Sequence, residues 1–508
     1  MISEDPARLS SAAAPGGPAR TRVAIVGAGF SGLGIAMALQ REGIDFAIFE
    51  RSDRLGGTWR DNSYPGSKCD VPSHLYSFSF APNPEWRHTY STQAEIWAYL
   101  EGLAERFKLL PHVRFEHELR LAKWDEAARG WRLATSRGPW LADVLILACG
   151  ALSEPSVPAL EGLETFQGRS FHSARWDHAH DLADQRIAVI GSGASAVQFV
   201  PQIQPRAKRL YLFQRTPPWV FPHLDREITD AERALYRRVP AAQRIVRAGV
   251  YWSRELVALA LTKRPRLTVL LERMARKHLA RQIEDPELRR KLTPDYAPGC
   301  KRMLISNDYY PSLAAPNVEV VAETIREVRA HSIVTIDGRE REVDTLIFGT
   351  GFRVTDNPVA RRVEGAGGTS LARAWAESGS RAYLGTTVPG FPNLFLMTGP
   401  NTGIGHTSLL LMIEAQIPYI IGCLRLMQAR GLGRFEVRRG PCDAFNEELQ
   451  RKMRRTVWNL GGCTSWYLDR HGRNTTLWPD FTWKYRWRMR RFDPESYEFV
   501  ENSVWQPK

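Results

Sequence analysis

The chain has 508 residues, of which 43% are hydrophobic and 24% are charged. This length exceeds a single hydrophobic core, so we expect two or three domains, and the composition is that of a soluble globular protein and not of a disordered or fibrous one. The formal net charge of +14 could attract nucleic acid, an anionic membrane or anionic cofactors. We favour a solvated basic surface with phosphate-binding arginines and expect no nucleic-acid partner.

The sequence gives no signal for export or for a transmembrane segment. Residues 1–20 are rich in Ala, Pro, Gly and Ser and lack an apolar core, which indicates a disordered leader. No stretch reaches the roughly 18 uninterrupted apolar residues of a spanning helix. The six cysteines are scattered without a CxxC pair. This pattern suits a reducing, cytoplasmic location and no metal site.

A βαβ unit follows the leader, with strands predicted at 22–26 and 45–50 and a helix at 31–42. Gly27, Gly29 and Gly32 form the turn between the first strand and the helix, where glycines let the backbone approach a pyrophosphate. Glu50 lies 18 residues after Gly32, at the end of the second strand. An acid there accepts hydrogen bonds from ribose hydroxyls. We interpret this unit as an FAD site.

Two further glycine turns could serve the same cofactor. Gly57 is followed by Thr58 and Trp59, whose ring could face a flavin or could equally be a core side chain. Gly399 and Asn401 follow an apolar strand predicted at 393–397 and could present backbone amides to the flavin, or form an ordinary loop.

A second βαβ unit has strands predicted at 186–190 and 209–214 and a helix at 194–203. Its turn carries Gly191 and Gly193, with Ala196 where glycine is commoner. No acid follows the second strand; Arg215 and Thr216 stand there instead. Since a guanidinium can bind a 2′-phosphate that an acid would repel, this pattern favours NADP over NAD.

The order of these units predicts an α/β protein with two Rossmann-like dinucleotide-binding domains. We expect a discontinuous FAD domain at 21–158 and 380–508, and an NADP domain at 159–379. Residues 228–292 are arginine-rich and helical in period, which indicates a helical insertion in the second domain. Residues 455–495 are dense in Trp and Arg, and we expect them to be irregular.

The linker between the two motifs reads FQGRSFHSARWD and carries Phe166, Gly168, His172, Trp176 and Asp177. This pattern, F-x-G-x-x-x-H-x-x-x-W-[PD], resembles the fingerprint of the type I Baeyer–Villiger monooxygenases, a family of class B flavoprotein monooxygenases. The resemblance covers roughly residues 20–480. It implies that the linker residues are positional, coupling movement of the NADP domain to the flavin site. On its own, His172 could equally be a structural histidine.

The resemblance also implies roles for residues outside the motifs. Arg302 matches the catalytic arginine, and Asp70 matches the carboxylate beside it. Lys301 matches a residue that helps to hold the 2′-phosphate, and Trp466 matches a loop tryptophan that contacts NADP in some relatives. The family's chemistry would be NADPH- and O2-dependent. A C4a-peroxyflavin inserts one oxygen atom next to the carbonyl of a hydrophobic ketone, which gives an ester or lactone.

Three alternatives remain open. An N- or S-oxygenating flavin monooxygenase shares the two sites but needs no catalytic arginine. A disulfide reductase also shares them but needs a redox cysteine pair beside the flavin, and we expect none here. A membrane-attached or non-catalytic flavoprotein could use the basic aromatic run at 483–491, so weak membrane-surface association stays possible. The sequence leaves the oligomeric state open.

Overall fold

The computed structural model describes residues 17–355, 358–376 and 378–501. Most of the predicted leader, residues 1–16, lies outside the described residues. Its last two residues, Ala19 and Arg20, are not leader, because they already pair with Trp140 and Leu141 at the start of the first strand.

The first unit is built on an eight-stranded mixed sheet in the order β17-β4-β5-β6-β1-β2-β3, with β18 on β6, where β17 is Val363–Glu364 and β18 is Leu394–Leu396. Strand β1 runs parallel to β2 and β6, while β4, β5 and β6 form an antiparallel meander. Residues Val23–Val26 are buried, which explains their unbroken apolar run. The elements are β1 Ala19–Val26, α1 Phe30–Arg41, β2 Phe46–Phe49, α2 Thr58–Asp61, α3 Gln93–Arg106, β3 Val113–Arg114, β4 Leu119–Asp125, β5 Gly130–Thr135 and β6 Gly138–Leu147.

The second unit is built on a five-stranded parallel sheet in the order β12-β9-β8-β16-β7. Buried apolar side chains on both of its faces pack against helices and a small antiparallel sheet. The elements are β7 Arg169–His172, β8 Arg186–Ile190, α4 Ala194–Ile203, β9 Arg209–Phe213, β10 Val220–Phe221, β11 Leu304–Ile305, α9 Tyr309–Leu313, β12 Val318–Val321, β13 Ile325–Arg329, β14 Ser332–Thr335, β15 Glu340–Glu342 and β16 Thr345–Phe348.

The predicted insertion is helical along its length, with short turns between its helices. It lies between β10 and β11 and comprises α5 Asp230–Arg238, α6 Pro240–Ala258, a π-helical turn Leu259–Lys263, α7 Thr268–Gln282 and α8 Pro286–Lys291. Thr229 begins α5 with a capping box that includes Glu232.

The chain returns to the first sheet earlier than the predicted boundary at residue 380. Val363 and Glu364 pair with β4, since their apolar neighbours complete the core on that side of the sheet. The last part of the chain comprises β17 Val363–Glu364, α10 Leu371–Ala376, β18 Leu394–Leu396, α11 Leu410–Arg430, β19 Leu432–Val437, α12 Arg439–Met453, α13 Val457–Leu460, α14 Thr482–Arg488 and β20 Tyr497–Glu501. Within 455–495 the two short helices α13 and α14 interrupt a segment that is otherwise largely irregular, as expected.

Helix α11 is the one described helix that is long and apolar enough to cross a membrane. However, 72% of its most apolar window is buried inside the protein. It packs against α1 and α14, and Gln416 on it donates hydrogen bonds to buried carbonyl oxygens. These contacts are those of a core helix.

Candidate active site

A single cleft of about 1140 Å³ lies where the two units meet, and both glycine turns open into it. Ligands of doubly wound sheets bind in this position, at the carboxyl ends of the strands. The cleft is lined by most of the predicted site residues: Gly27, Gly29, Glu50, Gly57, Thr58, Trp59, Asp70, Gly191, Gly193, Arg215, Thr216, Lys301, Arg302, Gly399 and Trp466.

The first glycine turn has the geometry that a dinucleotide needs. Gly27 has a φ of +108°, a conformation that favours glycine. A Cβ at Gly32 would lie 1.9 Å from the carbonyl oxygen of Gly27, so this glycine lets the helix start close to the strand. A Cβ at Gly29 would meet only Gly57, at 3.8 Å, and Gly29 borders the cleft. The residues therefore fit a pyrophosphate laid across the helix N-terminus.

Glu50 is buried at the edge of the cleft and is held by three donors. Its carboxylate accepts hydrogen bonds from the backbone amides of Ala28, at 2.9 Å, and Ser52, at 3.1 Å. The Arg60 guanidinium donates a third, at 3.0 Å. Arg60 is absent from the sequence prediction. It lies four residues after Gly56 and ten after Glu50, at a position that the glycine motif does not specify. Its contact with the acid is therefore visible only in the fold.

Two other residues predicted to bind FAD differ in their relation to the cleft: one lies in its wall and the other does not. Trp59 donates from its indole nitrogen to the Tyr76 hydroxyl at 3.0 Å, so its ring is fixed in the cleft wall. Asn401 does not line the cleft. Its side-chain nitrogen donates to the carbonyl oxygens of Asn474 and Leu477, each at 2.9 Å. Its backbone amide, which was predicted to face the flavin, donates to the Thr475 carbonyl oxygen at 2.9 Å. The prediction that Asn401 binds the cofactor is therefore corrected: the residue ties two loops together.

The second glycine turn faces the first across the cleft. Gly191 has a φ of +104°, and a Cβ there would lie 2.5 Å from the Gly349 carbonyl oxygen. Ala196 is fully buried and lies against Gly349, not in the cleft. Its small side chain therefore permits close helix–strand packing, the role that a third glycine has in such motifs.

Two cations lie together at the end of β9. Lys301 is half-buried, and burial and then the nearby charge of Arg215 lower its pKa. Arg215 is exposed at the rim. Two cations with few acids near them form a site for a dianion, which would relieve their repulsion. These residues fit a 2′-phosphate, and the Lys301 contribution follows from the fold and not from its place in the sequence.

We expect Arg215→Ala to raise the KM for NADPH. The lost binding free energy should be about 1–3 kcal/mol, the value of a hydrogen bond to a charged group. The KM for NADH should hardly change, because NADH lacks the 2′-phosphate. Steady-state kinetics with both cofactors measures this. Arg209→Ala is the matched control, since Arg209 lies on the same strand but pairs with Glu319. Equal damage with both cofactors would make Arg215 a structural residue.

Asp70 and Arg302 form a bidentate ion pair in the cleft wall. The Arg302 Nε donates to Asp70 Oδ2 at 2.6 Å, and its Nη2 donates to Oδ1 at 2.5 Å. The Asp70 carboxylate raises the pKa of Arg302 well above its usual range. Burial would raise the pKa of Asp70, but the charge and hydrogen bonds of Arg302 outweigh it and hold that pKa below its usual value. The site therefore holds a permanent, oriented guanidinium.

A disulfide joins Cys300 to Cys463, with their Cα atoms 6.1 Å apart. The fold brings together two cysteines that are 163 residues apart in sequence and that no CxxC spacing links. The two cysteines lie in an apolar cluster with Trp219 and Tyr296. Tyr296 reaches the cleft lining, but neither cysteine does. A disulfide reductase would need them to face the flavin, so that alternative gains no support.

The linker residues lie behind the cleft and hold the second sheet. Trp176 packs against Phe199 of α4, with ring centroids 5.3 Å apart, and Asp177 accepts a hydrogen bond from Arg169 at 2.6 Å. A Cβ at Gly168 would lie 2.3 Å from the Asp344 carbonyl oxygen. Phe166 packs against the same sheet. None of the described linker residues lines the cleft, which agrees with positional roles.

His172 at the end of β7 is buried, and burial lowers its pKa to about 4. Since an unfolded histidine titrates near 6.5, the unfolded chain binds this proton first as the pH falls. The free energy of unfolding should therefore decrease from about pH 6.5 to pH 4, and His172→Gln should make that decrease smaller. Urea unfolding at several pH values measures the slope. An unchanged slope would mean that His172 titrates normally.

Sequence reasoning missed the contacts that join the two units. The Tyr64 hydroxyl donates to Gln198 of α4 at 2.9 Å, and the Gln198 amide donates to the Lys68 carbonyl oxygen at 2.9 Å. The Lys68 side chain pairs with Asp225 at 3.3 Å. A polar Gln198 within an apolar helix was the signal that could have pointed to this junction.

The chain is similar to known proteins over nearly its whole length. Residues 20–360 match the flavin-binding monooxygenase-like family. A Baeyer–Villiger monooxygenase of Streptomyces coelicolor is 53% identical, over 94% of this chain and 92% of the relative. One of Pseudomonas aeruginosa is 50% identical, over 97% of this chain and 94% of the relative.

Solved structures of similar proteins have the same fold as this chain. A closed cyclohexanone monooxygenase has a TM-score of 0.85 at 28% identity and covers 96% of this chain and 100% of its own. A steroid monooxygenase bound to NADP has a TM-score of 0.84 at 30% identity, over 95% of this chain and 100% of its own. The α/β fold and the FAD and NADP cofactors are thereby confirmed. The chain belongs to the flavin-binding monooxygenase-like family and, within it, is a Baeyer–Villiger monooxygenase.

Proposed function

We propose that this Baeyer–Villiger monooxygenase uses the Arg302–Asp70 pair to insert one oxygen atom next to the carbonyl of a hydrophobic ketone. The observation that carries the proposal is the bidentate pair itself, placed in the wall of the cleft that both glycine turns line. When bound there, FAD activates dioxygen with electrons that NADPH supplies. The remaining work is that of side chains that position, shield and polarise.

Arg302 supplies the positive charge. As the carbonyl carbon of the ketone is attacked, its oxygen becomes negative, and a fixed guanidinium nearby lowers the energy of that state. A guanidinium keeps its proton at any working pH, whereas a lysine in an enclosed site can lose it. Asp70 uses both of its oxygens to fix the plane of the guanidinium, so we assign it orientation and tuning.

The residues described above divide between the FAD site and the NADP site of the cleft. Gly27, Gly29, Glu50, Gly57, Thr58, Trp59, Asp70 and Gly399 would hold FAD, and Gly191, Gly193, Arg215, Thr216 and Lys301 would hold NADP. Gly32 and Ala196 would support the two glycine turns from behind, by allowing close packing of each helix. Trp466, 43% exposed at the mouth of the cleft, would cover the nicotinamide half. Retained NADP would keep water from the reacting centre.

We infer a hydrophobic ketone as the substrate and the cytoplasm as the location. The cleft wall includes Phe30, Leu410 and Ile413. Four described cysteines are free, which suits a reducing compartment, and there Cys300 and Cys463 would be a pair of thiols. Cyclic, linear, aryl and steroid ketones remain equally compatible with this wall.

A panel of ketones and sulfides, scored by product mass, tests the proposal. We expect esters or lactones from hydrophobic ketones at rates above those of sulfoxides from sulfides. Product mass is the required readout, because NADPH consumption alone also reports uncoupled release of hydrogen peroxide. Sulfoxides without any ester would instead support an S-oxygenating enzyme.

A further inference from the structure

Helix α6 exposes a side that carries no charge. Ile245, Trp252, Leu256 and Leu259 are 71%, 57%, 72% and 37% exposed. They are 7, 4 and 3 residues apart, so they lie on one side of the helix and of the π-helical turn that continues it. Helices that face water normally present charged residues there. An apolar side of this length indicates a contact surface.

The opposite side of α6 is firmly packed. The Tyr251 hydroxyl lies 3.2 Å from the Thr482 hydroxyl, and the Thr482 backbone amide donates to Glu255 at 3.2 Å. Tyr251 and Glu255 are buried. The helix is therefore held against α14, and the exposed side cannot turn inward to bury itself.

Two neighbouring elements also expose apolar side chains. The turn after α6 and the start of α7 expose Leu267, Val269, Leu270 and Met274 by 40% to 60%. Helix α14, which packs on α6 through Thr482, exposes Trp483 by 43% and Trp487 by 71%. We name these exposed residues of α6, α7 and α14 the insertion surface.

The charges around the insertion surface are almost all positive. Residues 240–277 contain nine Lys or Arg and only two acids, Glu255 and Glu272. Glu255 is buried, and Glu272 pairs with Arg276 at 2.8 Å. Arg264, Arg266 and Arg273 are exposed beside the apolar residues. Arg247 and Lys263 pair inward with Glu414 and Asp480. The cations that ring the apolar side chains are therefore the exposed ones, Arg264, Arg266 and Arg273 among them.

This combination selects one kind of partner. A second copy joined through the same patch would bring the two rings of cations together, which is unfavourable. Nucleic acid would engage the arginines but leave the aliphatic side chains exposed to water. A bilayer with anionic headgroups satisfies both, since apolar side chains enter the acyl boundary and cations meet the phosphates. Exposed tryptophans favour that interface.

We propose that the insertion surface docks the enzyme on the surface of an anionic phospholipid bilayer, without crossing it. Binding rests on burial of the apolar residues and on attraction of the surrounding cations to the lipid charge. It should weaken with salt, because exposed charges are screened.

Co-sedimentation of the FAD-loaded full chain with vesicles tests this. We expect binding to vesicles of phosphatidylglycerol mixed with phosphatidylcholine that is at least about tenfold tighter than binding to phosphatidylcholine alone, and a decrease at high salt. Equal binding to both vesicles, or none to either, would overturn the proposal.

Leu256→Glu places a negative charge in the centre of the surface, and we expect it to reduce vesicle binding by about tenfold or more. Ile336→Glu is the matched control, since Ile336 is 64% exposed in a hairpin turn of the second unit. It should bind as the wild type does. Both variants should keep their FAD and their turnover of a water-soluble ketone.

Three results would contradict the proposal. One is equal loss of vesicle binding in both variants. Another is a wild-type dimer in sedimentation velocity that Leu256→Glu converts to monomers, which would identify a second copy as the partner. The third is salt-sensitive binding to an oligonucleotide with no binding to vesicles, which would identify a nucleic-acid surface.

Discussion

Arg302→Ala should abolish ester formation from ketones while leaving FAD and NADPH bound. The loss should reach about 10²–10³-fold or more in kcat, the usual cost of removing a group that stabilises a developing oxyanion. NADPH oxidation should remain measurable, and its electrons should appear as hydrogen peroxide. Product mass and peroxide yield, measured on the same reaction, separate the two outcomes.

Two further variants sharpen this test. Arg302→Lys should not restore ester formation, because a compact ammonium cannot reproduce the two parallel hydrogen bonds to Asp70 and can lose its proton in an enclosed site. Asp70→Ala should show a milder form of the same defect. It leaves the positive charge of Arg302 in place but removes the carboxylate that orients it. Esters formed by Arg302→Ala at a near wild-type rate would refute the assigned role.

Gly29→Ala should yield a folded protein that has lost most of its FAD. The φ of Gly29 is −91°, which alanine tolerates, and its Cβ would meet no protein atom closer than 3.8 Å. The methyl group would instead occupy the space beside Gly57 where a pyrophosphate must pass. We expect FAD affinity to fall at least tenfold, or about 1.4 kcal/mol. Flavin absorbance per chain and thermal unfolding measure the two properties.

Two other glycines provide the controls. Gly102→Ala changes a glycine of α3 that has open space around it, so FAD content should stay unchanged. Gly32→Ala should destabilise the fold itself, because its Cβ would lie 1.9 Å from a backbone oxygen. If Gly29→Ala retained full FAD, the pyrophosphate would have to run elsewhere.

The sequence predicted the parts of the site that have a local code. The buried strands, the two glycine turns and Arg215 depend on neighbours within one βαβ unit, so their roles can be read from spacing. The fold class and both cofactors followed from these turns and are confirmed. Asp70 and Arg302 lie 232 residues apart, and no local pattern joins them. Only the family resemblance suggested that they meet.

Other features depend on the whole fold. The contact of Arg60 with Glu50, the disulfide between Cys300 and Cys463, and the tie between Tyr64 and Gln198 all need two elements to pack first. Asn401 shows the opposite error. Its glycine-turn setting suggested cofactor binding, but the fold uses its amide to satisfy two buried carbonyl oxygens.

The disulfide restricts the movement of one part of the cleft wall. Thr464 and Ser465 alone separate Cys463 from Trp466, a reach of roughly 11 Å at about 3.6 Å per residue. With the bond closed, the Cys463 Cα lies 6.1 Å from the Cys300 Cα, so Trp466 is tied through Cys463 to the neighbourhood of Cys300. The disulfide partner of Cys463 is Cys300, which lies two positions before Arg302. A reducing compartment opens such a bond and an oxidising one closes it. We therefore expect Trp466 to be held more closely to the Arg302 side of the cleft when the bond is closed than when it is open.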